Sequence, residues 1–478
     1  MKRVLAMTLA GAMLSACVAT PSTTPSEVAL KSDSLGLGTA PAPAVSDTWW
    51  TAFHDPQLNG LVEQALKGNP SLAAALARVR AAQSQLSEAR AATYPQVTFS
   101  GGELGIHLSK DFIAPPPLAG TDQRVGDFGL NLSWSLDLFG KQAAQIAQAR
   151  ASAQAAALDA TAARLLLAGT VTQAYVWLWK SYALVDIGEE AVRQREGIAA
   201  LTQGRVRAGL DSEASSKQAS ALLALARESL TQAKASRELA VHEIAALTGR
   251  GADGYDIARP PMNDTVLALP ANLPADLLAR RADIAAGEAR IESAYQGREV
   301  ARKAFYPDIN LLALAGTAAF GVSNLFNSAS LQYGAGAAIH LPIFDAGELR
   351  ANYAGATARL DEAVADYNQS VVGAVRQTAD ALTDLKSLQD RGTDHRQAVA
   401  DAQASFDLAR ERYRSGLNPQ QTTLDAEGLL IQARTQGAEL AGDTIAARVT
   451  LLMAIGGGYA PAPQTAADTN DKPDASHE

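Results

Sequence analysis

Phe128, Leu130, Leu132, Trp134, Leu136 and Leu138 occupy every second position of one segment, with Gly129, Asn131, Ser133, Ser135 and Asp137 between them. A period of two is the signature of a strand with unlike faces. The pattern returns at Leu331, Tyr333, Ala335, Ala337, Ile339 and Leu341, which alternate with Gln332, Gly334, Gly336, Ala338 and His340. Two partner segments are less regular but rich in β-branched and small residues. Together they predict four strands, at about 95–108, 124–138, 308–322 and 330–341. Strands of about 10 residues with one apolar face and one small or polar face match those of transmembrane barrels. A soluble sheet lying on helices would alternate in the same way. Four strands cannot close a barrel, for which about eight are the practical minimum, and an open edge in lipid leaves backbone groups unpaired. If these strands span a membrane, several chains must pool them.

A second period is longer. Val364, Val371, Thr378, Leu385, Gly392, Val399, Phe406 and Tyr413 are spaced by seven, and so are Tyr367, Ala374, Ala381, Leu388, His395, Ala402 and Ala409. A heptad sustained this far is a coiled-coil seam. It predicts a helix over 347–413, and about 65 residues at 1.5 Å each would reach roughly 100 Å. A return helix over 420–456 repeats the spacing at Leu424, Ile431, Ala438, Ile445 and Leu452. The first half predicts matching helices over 141–203 and 212–248.

The resemblance between halves is a duplication at an offset near 207. Arg207-Ala208-Gly209-Leu210 pairs with Arg414-Ser415-Gly416-Leu417, and Tyr94-Pro95-Gln96-Val97 with Tyr306-Pro307-Asp308-Ile309. Leu138-Phe139-Gly140 pairs with Ile343-Phe344-Asp345-Ala346-Gly347, and Ala246-Leu247-Thr248-Gly249 with Ala454-Ile455-Gly456-Gly457. Searching for such repeats fixes the domain plan. The halves run 47–250 and 275–458, each a helix, a strand pair and a long helical hairpin, joined by a proline-bearing linker at 251–274.

The N-terminus changes the picture of compartment. Lys2 and Arg3 precede a short apolar run that ends Leu14-Ser15-Ala16-Cys17. The run is too short to span a bilayer and reads as a signal segment of residues 1–16. The only cysteine sits where cleavage would fall, as in a bacterial lipoprotein box, so acylation of Cys17 is expected to anchor the mature chain. Val18 follows where an aspartate would favour inner-membrane retention. Residues 17–46 then form a tether rich in Pro, Ser, Thr and Ala, and 459–478 read as a disordered tail.

Composition mostly excludes. Of 478 residues, 41 are basic and 50 acidic, a net charge of −9 without a strong basic patch, which argues against nucleic acid as a partner. One cysteine excludes internal disulfides and cysteine-cluster metal sites. The six histidines are dispersed, and His242-Glu243 lacks the second histidine of a zinc-protease helix. Gly204 and Gly209 have P-loop spacing without the following Lys-Ser/Thr, and no nucleophile elbow occurs. No enzyme and no cofactor are expected, beyond lipid on Cys17.

The lipobox, the doubled programme and several motifs together resemble the TolC/OprM/NodT outer-membrane efflux proteins. The motifs stand here as Trp49-Trp50-Thr51-Ala52-Phe53-His54-Asp55-Pro56-Gln57-Leu58, Leu277-Leu278-Ala279-Arg280-Arg281-Ala282-Asp283-Ile284, Ala304-Phe305-Tyr306-Pro307 and Arg412-Tyr413-Arg414-Ser415-Gly416, completed by Leu424-Asp425-Ala426. The family often has proline where Ala282 stands. The resemblance implies a mostly α, TolC-like fold with a membrane β-barrel. In it, a homotrimer pools four strands per protomer into a twelve-stranded barrel, continued by a helical periplasmic tunnel. It implies a passive exit duct for small molecules in the outer membrane of a Gram-negative bacterium, working with a periplasmic adaptor and an inner-membrane transporter, RND-type by expectation. It also implies a gate at the turns 204–213 and 412–421. Tyr413 would hold the helices inward, and Asp425 would form an acidic ring lining the pore. Thr422 stands where a second acid can occur. Arg207 and Arg414 are candidates for gate or adaptor contact, and Gly209 and Gly416 for turn or adaptor contact. The rival reading is the periplasmic adaptor lipoprotein itself, which would carry one hairpin rather than two.

Overall fold

The structure is a computed structural model that describes residues 23–460 apart from 42, 44, 112–114, 252–255 and 262–268. Cys17, the signal segment and nearly all of the expected tail lie outside the described residues. The helices are α1 (Pro56–Gly68), α2 (Pro70–Ala91), α3 (Lys141–Arg207), α4 (Glu213–Leu247), α5 (Ala282–Lys303), α6 (Glu348–Arg414) and α7 (Gln420–Ala454). The strands are β1 (Gln96–His107), β2 (Asp122–Leu136), β3 (Asp308–Phe320) and β4 (Leu331–His340). The duplication is exact in the hairpins, since α3 and α6 both have 67 residues and α4 and α7 both have 35. Two hairpins per chain leave no place for the adaptor reading.

Two compact units divide the chain. One comprises the segment ending at Ala29, Arg78–Ala156 and Ala286–Asn368, and the other Leu30–Ala77, Ala157–Ala285 and the chain from Gln369 onward.

The first unit holds the sheet, an antiparallel meander in the order β1-β2-β3-β4. Its register lines Phe99, Leu130, Ala315 and Tyr333 in one row across all four strands. The neighbouring row on the opposite face is Thr98, Asn131, Leu314 and Gly334, largely polar or small. The alternation therefore survives pairing, because a period of two sends successive side chains to opposite faces. β1 and β4 are exposed at every residue, and each leaves one edge unpaired within the chain. The long helices start cleanly below the sheet's connections. Asp137 accepts the backbone N–H groups of Gln142 and Ala143, and Asp345 those of Gly347 and Leu349. These bonds satisfy donors that every helix start leaves open and hold the Asp345 carboxyl below its usual range.

The expected tether is fastened where it is described. Asp361 of α6 accepts the N–H groups of Ser26 and Glu27 at 2.8 and 3.1 Å, and Asn368 donates to the Val28 carbonyl at 2.9 Å. Farther on, in the second unit, Gly38 donates to the Leu273 carbonyl at 2.9 Å.

The second unit carries the largest core. Trp49, Trp50, Phe53, Leu58, Val62, Tyr175, Leu178, Ile244, Leu451 and Leu452 are buried together. Each such side chain removed from water contributes about 1.5–3 kcal/mol. The Asp55-Pro56 pair starts α1: Pro56 opens the helix, and Asp55 accepts from Gln57 N–H at 2.8 Å and from the Tyr175 hydroxyl at 2.6 Å. Burial, together with the Asp55 carboxylate, drives the Tyr175 hydroxyl far above its ordinary pKa. Arg281 caps the other end of the fold's last helix, donating to the Ala454 carbonyl at 2.9 Å while paired with Asp283 at 2.7 Å. Ala282 is the first residue of α5, a position that accepts proline without loss, so the family's usual residue and this one suit the same place.

Burial along α6 follows the predicted heptads from Val364 to Leu385 and again from Ala402 to Tyr413. Between them Leu388, Gly392, His395 and Val399 are only half-buried. There the seam with α7 opens into a groove of about 640 Å³, which His395 partly bridges by donating to the Ala433 carbonyl at 2.8 Å.

Candidate functional site: the paired helix turns

Both long helices end in the same way. Leu210 N–H reaches back to the Arg205 carbonyl at 2.9 Å and Gly209 N–H to Val206 at 3.0 Å. Leu417 and Gly416 repeat this on Arg412 and Tyr413 at 2.8 and 3.0 Å. This double bond pattern terminates a helix through one left-handed residue. Gly209 has φ 73° and Gly416 φ 71°. Nothing lies within 4 Å of a side chain built at either glycine. Backbone conformation alone therefore selects glycine there. Leu210 and Leu417, the residues after each glycine, are strongly exposed.

Between the turns lies a compact polar cluster. The Asp211 carboxylate accepts from Arg205 Nε at 2.7 Å and from the Tyr413 hydroxyl at 3.2 Å through the same oxygen, Oδ2. The Arg205 guanidinium also lies over the Tyr413 ring, 5.1 Å from its centroid, a favourable cation–π placement. Tyr413 is buried. Burial raises its hydroxyl above the ordinary pKa and the Asp211 charge adds to this, while Thr202 and Arg205 act in the opposite sense. One acid thus ties the end of α6 to the turn between α3 and α4. Beside it, Gln420 at the start of α7 donates to the Thr202 hydroxyl of α3, both groups buried. Thr423 donates to the Ala409 carbonyl at 3.3 Å, joining α7 to α6.

The remaining expected residues are placed differently. Asp425 is exposed and accepts from Gln421 at 2.6 Å; Gln421 in turn accepts from Gln218 of α4 at 2.9 Å. Thr422 is exposed on the same stretch. Arg207 and Arg414 are exposed and make no ion pair among the described residues. Arg205, Asp211, Thr202 and Gln420 were not singled out by sequence reasoning. Arg205 and Arg207 are two residues apart, which at 3.6 residues per turn puts them on nearly opposite faces of α3. The duplication draws attention to Arg207, because it aligns with Arg414; the packing uses Arg205. A signal was available in Asp211, an acid of the first turn that has Asn418 as its counterpart in the second.

Among the described residues no group of His, Cys, Asp and Glu could hold a metal ion, and no helix is long and apolar enough to cross a membrane.

Comparison with known proteins agrees with this architecture. The model of the outer membrane efflux protein family matches residues 61–250 and again 273–457, once for each repeat. The putative multidrug resistance outer membrane protein MdtQ of Escherichia coli (strain K12) is 30% identical over 420 residues, 86% of this chain and 88% of MdtQ. The fusaric acid resistance protein FusA of Burkholderia cepacia is 34% identical over 367 residues, 74% of this chain and 69% of FusA. Among solved structures, the outer membrane protein VceC from Vibrio cholerae superposes with a TM-score of 0.81 at 32% identity, covering 87% of this chain and 99% of VceC.

Proposed function

Because the chain belongs to the outer membrane efflux protein family and is an exit duct of an efflux system at the outer membrane, we propose that it works as a homotrimer gated at its paired helix turns. Its three sheets would close one twelve-stranded barrel, and its hairpins would continue the barrel as a tunnel. The unpaired edges of β1 and β4 support this, since backbone groups left open in lipid cost several kcal/mol each and a neighbouring copy can satisfy them. The duct performs no catalysis. Its cargo is drugs or other toxic small molecules, the kind of compound that the names of MdtQ and FusA attach to those proteins.

Cys17 carries the lipid in this reading. The described part of the tether supports it, because residues 26–28 are fastened to the unit that holds the sheet, as an anchor beside a barrel requires. Cys17→Ala is expected to abolish acylation and globomycin-sensitive processing; an acylated, normally processed variant would refute the assignment.

The gate rests on a single observation, the three-way contact of Tyr413, Asp211 and Arg205. It joins the second hairpin to the first at their ends, so any widening there must part it. Asp425 of three copies would form an acidic ring at the constriction, favouring cations and resisting simultaneous ionisation. Thr422 beside it adds no charge. Gly209 and Gly416, with Leu210 and Leu417 exposed beside them, would meet a periplasmic adaptor, and Arg207 and Arg414 are free to contribute to that contact. An inner-membrane transporter of RND type would supply the energy. Recordings of the purified full chain in planar bilayers test the gate. Asp211→Asn should raise single-channel conductance, and an unchanged conductance would refute it.

A further inference from the structure

Helices α3 and α7 run antiparallel, and five polar contacts cross between them in succession: Thr202 with Gln420, Arg195 with Glu427, Glu190 with Arg434, Lys180 with Asp443 and Gln173 with Thr450. Three of the α7 members, Gln420, Glu427 and Arg434, are spaced by seven, a repeat that keeps one face of a helix against its neighbour. Four rungs close to 3.0 Å or less. The Glu427 rung does not.

Glu427 is fully buried. Neither of its carboxylate oxygens has a hydrogen-bond partner, and neither has Arg195 Nε, which stands 3.5 Å from one of them. Arg195 spends another nitrogen on the Leu222 carbonyl of α4 at 2.8 Å. Neighbouring charges on the packed helices are engaged elsewhere: Glu196 with Arg227 at 2.7 Å, Glu190 with Arg434 at 2.8 Å, and Asp407 with Arg410 at 3.0 Å. Among the described residues Arg195 is thus the one charge acting on Glu427. Removal from water without a hydrogen bond disfavours the charged form of that carboxyl, and the guanidinium 3.5 Å away favours it. Burial accordingly raises the Glu427 carboxyl above its usual range, and Arg195 only partly opposes this.

We propose that Glu427 is a proton-sensitive latch of the α3–α7 seam: the sealed seam binds a proton there that the parted, hydrated seam releases, so acidity holds the two hairpins together. The inference rests on the gate reading and deepens it, since the adjoining rung, Gln420 with Thr202, stands beside Tyr413. The sign follows from linkage. A group whose pKa is raised in the sealed state contributes stability that is complete below its ordinary carboxyl range and is lost as pH climbs through the raised value. Opening is therefore favoured on the alkaline side of that window.

The test is the open probability of the purified full chain in planar bilayers between about pH 5 and about pH 8. The wild type should open more as pH rises. Glu427→Gln, neutral throughout, should lose that dependence and stay shut. Arg195→Gln with Glu427→Gln removes both charges, covers the case in which Arg195 alone destabilises the fold, and should also be flat. A wild-type profile retained in both variants, or a profile abolished by Asp425→Asn instead, would overturn the latch. Asp211→Asn separates the two readings. If it fails to open the channel while Glu427→Gln still flattens the profile, the gate falls and the latch stands.

Discussion

The two helix turns share a backbone and differ in chemistry. At an offset of 207, Gly209 and Gly416 have nearly the same positive φ and the same pair of capping bonds. Yet Val206 of the first turn stands where Tyr413 is in the second, and Asp211 where Asn418 is. The first turn carries an arginine–aspartate pair, and the second supplies the phenol that docks on it. Duplication preserved what the chain needs in order to reverse direction. Divergence then made the copies complementary, so that one hairpin can hold the other. A pair of identical turns would offer two tyrosines or two acids to each other, with nothing to receive the bond.

That difference can be broken by substitution. The largest effect on function is expected from Asp211→Asn, because one carboxylate serves both Arg205 and Tyr413; single-channel conductance should rise and the closed state should become rare. Next come Gly209→Val and Gly416→Val, where a β-branched residue must adopt a left-handed backbone at a cost of about 1–2 kcal/mol each. Thermal unfolding should shift alike for both. A large inequality would mean that the turns are not equivalent in backbone after all. Tyr413→Phe removes one hydrogen bond to a charged acceptor and keeps the ring under Arg205. Its conductance should lie between those of the wild type and Asp211→Asn. The smallest effect belongs to Arg207→Ala and Arg414→Ala, exposed residues whose replacement should alter stability by no more than about 0.5 kcal/mol. Unchanged conductance for both, with Arg205→Ala raising it, would confine the gate to the inward face of α3.

Much of this was legible beforehand because periodicity reports which face an element buries. The strands predicted at 95–108 and 308–322 occur at Gln96–His107 and Asp308–Phe320, and the long helix predicted at 347–413 at Glu348–Arg414. Strand pairing keeps each residue on its face, and a heptad keeps its seam, so neither signal depends on remote contacts. The motif around Trp49 was legible as a resemblance and explicable only afterwards: the aromatic residues fill a core, and Asp55 caps a helix while receiving Tyr175 from a distant one.

The polar contacts were another matter. Burial on α7 departs from the seam read in its sequence, since Leu430, Ala433 and Leu440 are buried alongside Leu424 and Ile445. The helix packs on α6 along one face and meets α3 along another, and a single heptad describes only one neighbour. Glu427, which lies off the seam read in the sequence, is enclosed in the structure.

By itself the sequence determined the elements, their lengths, the duplication and the turn glycines, all of which follow from local backbone preference and hydrophobic period. Only the tertiary structure decided that Arg205 rather than Arg207 meets Asp211, that Tyr413 crosses to the other hairpin, and that Glu427 loses its water. Those outcomes depend on the rotation of one helix against another, and a shift of two residues along a helix carries a side chain to nearly the opposite face.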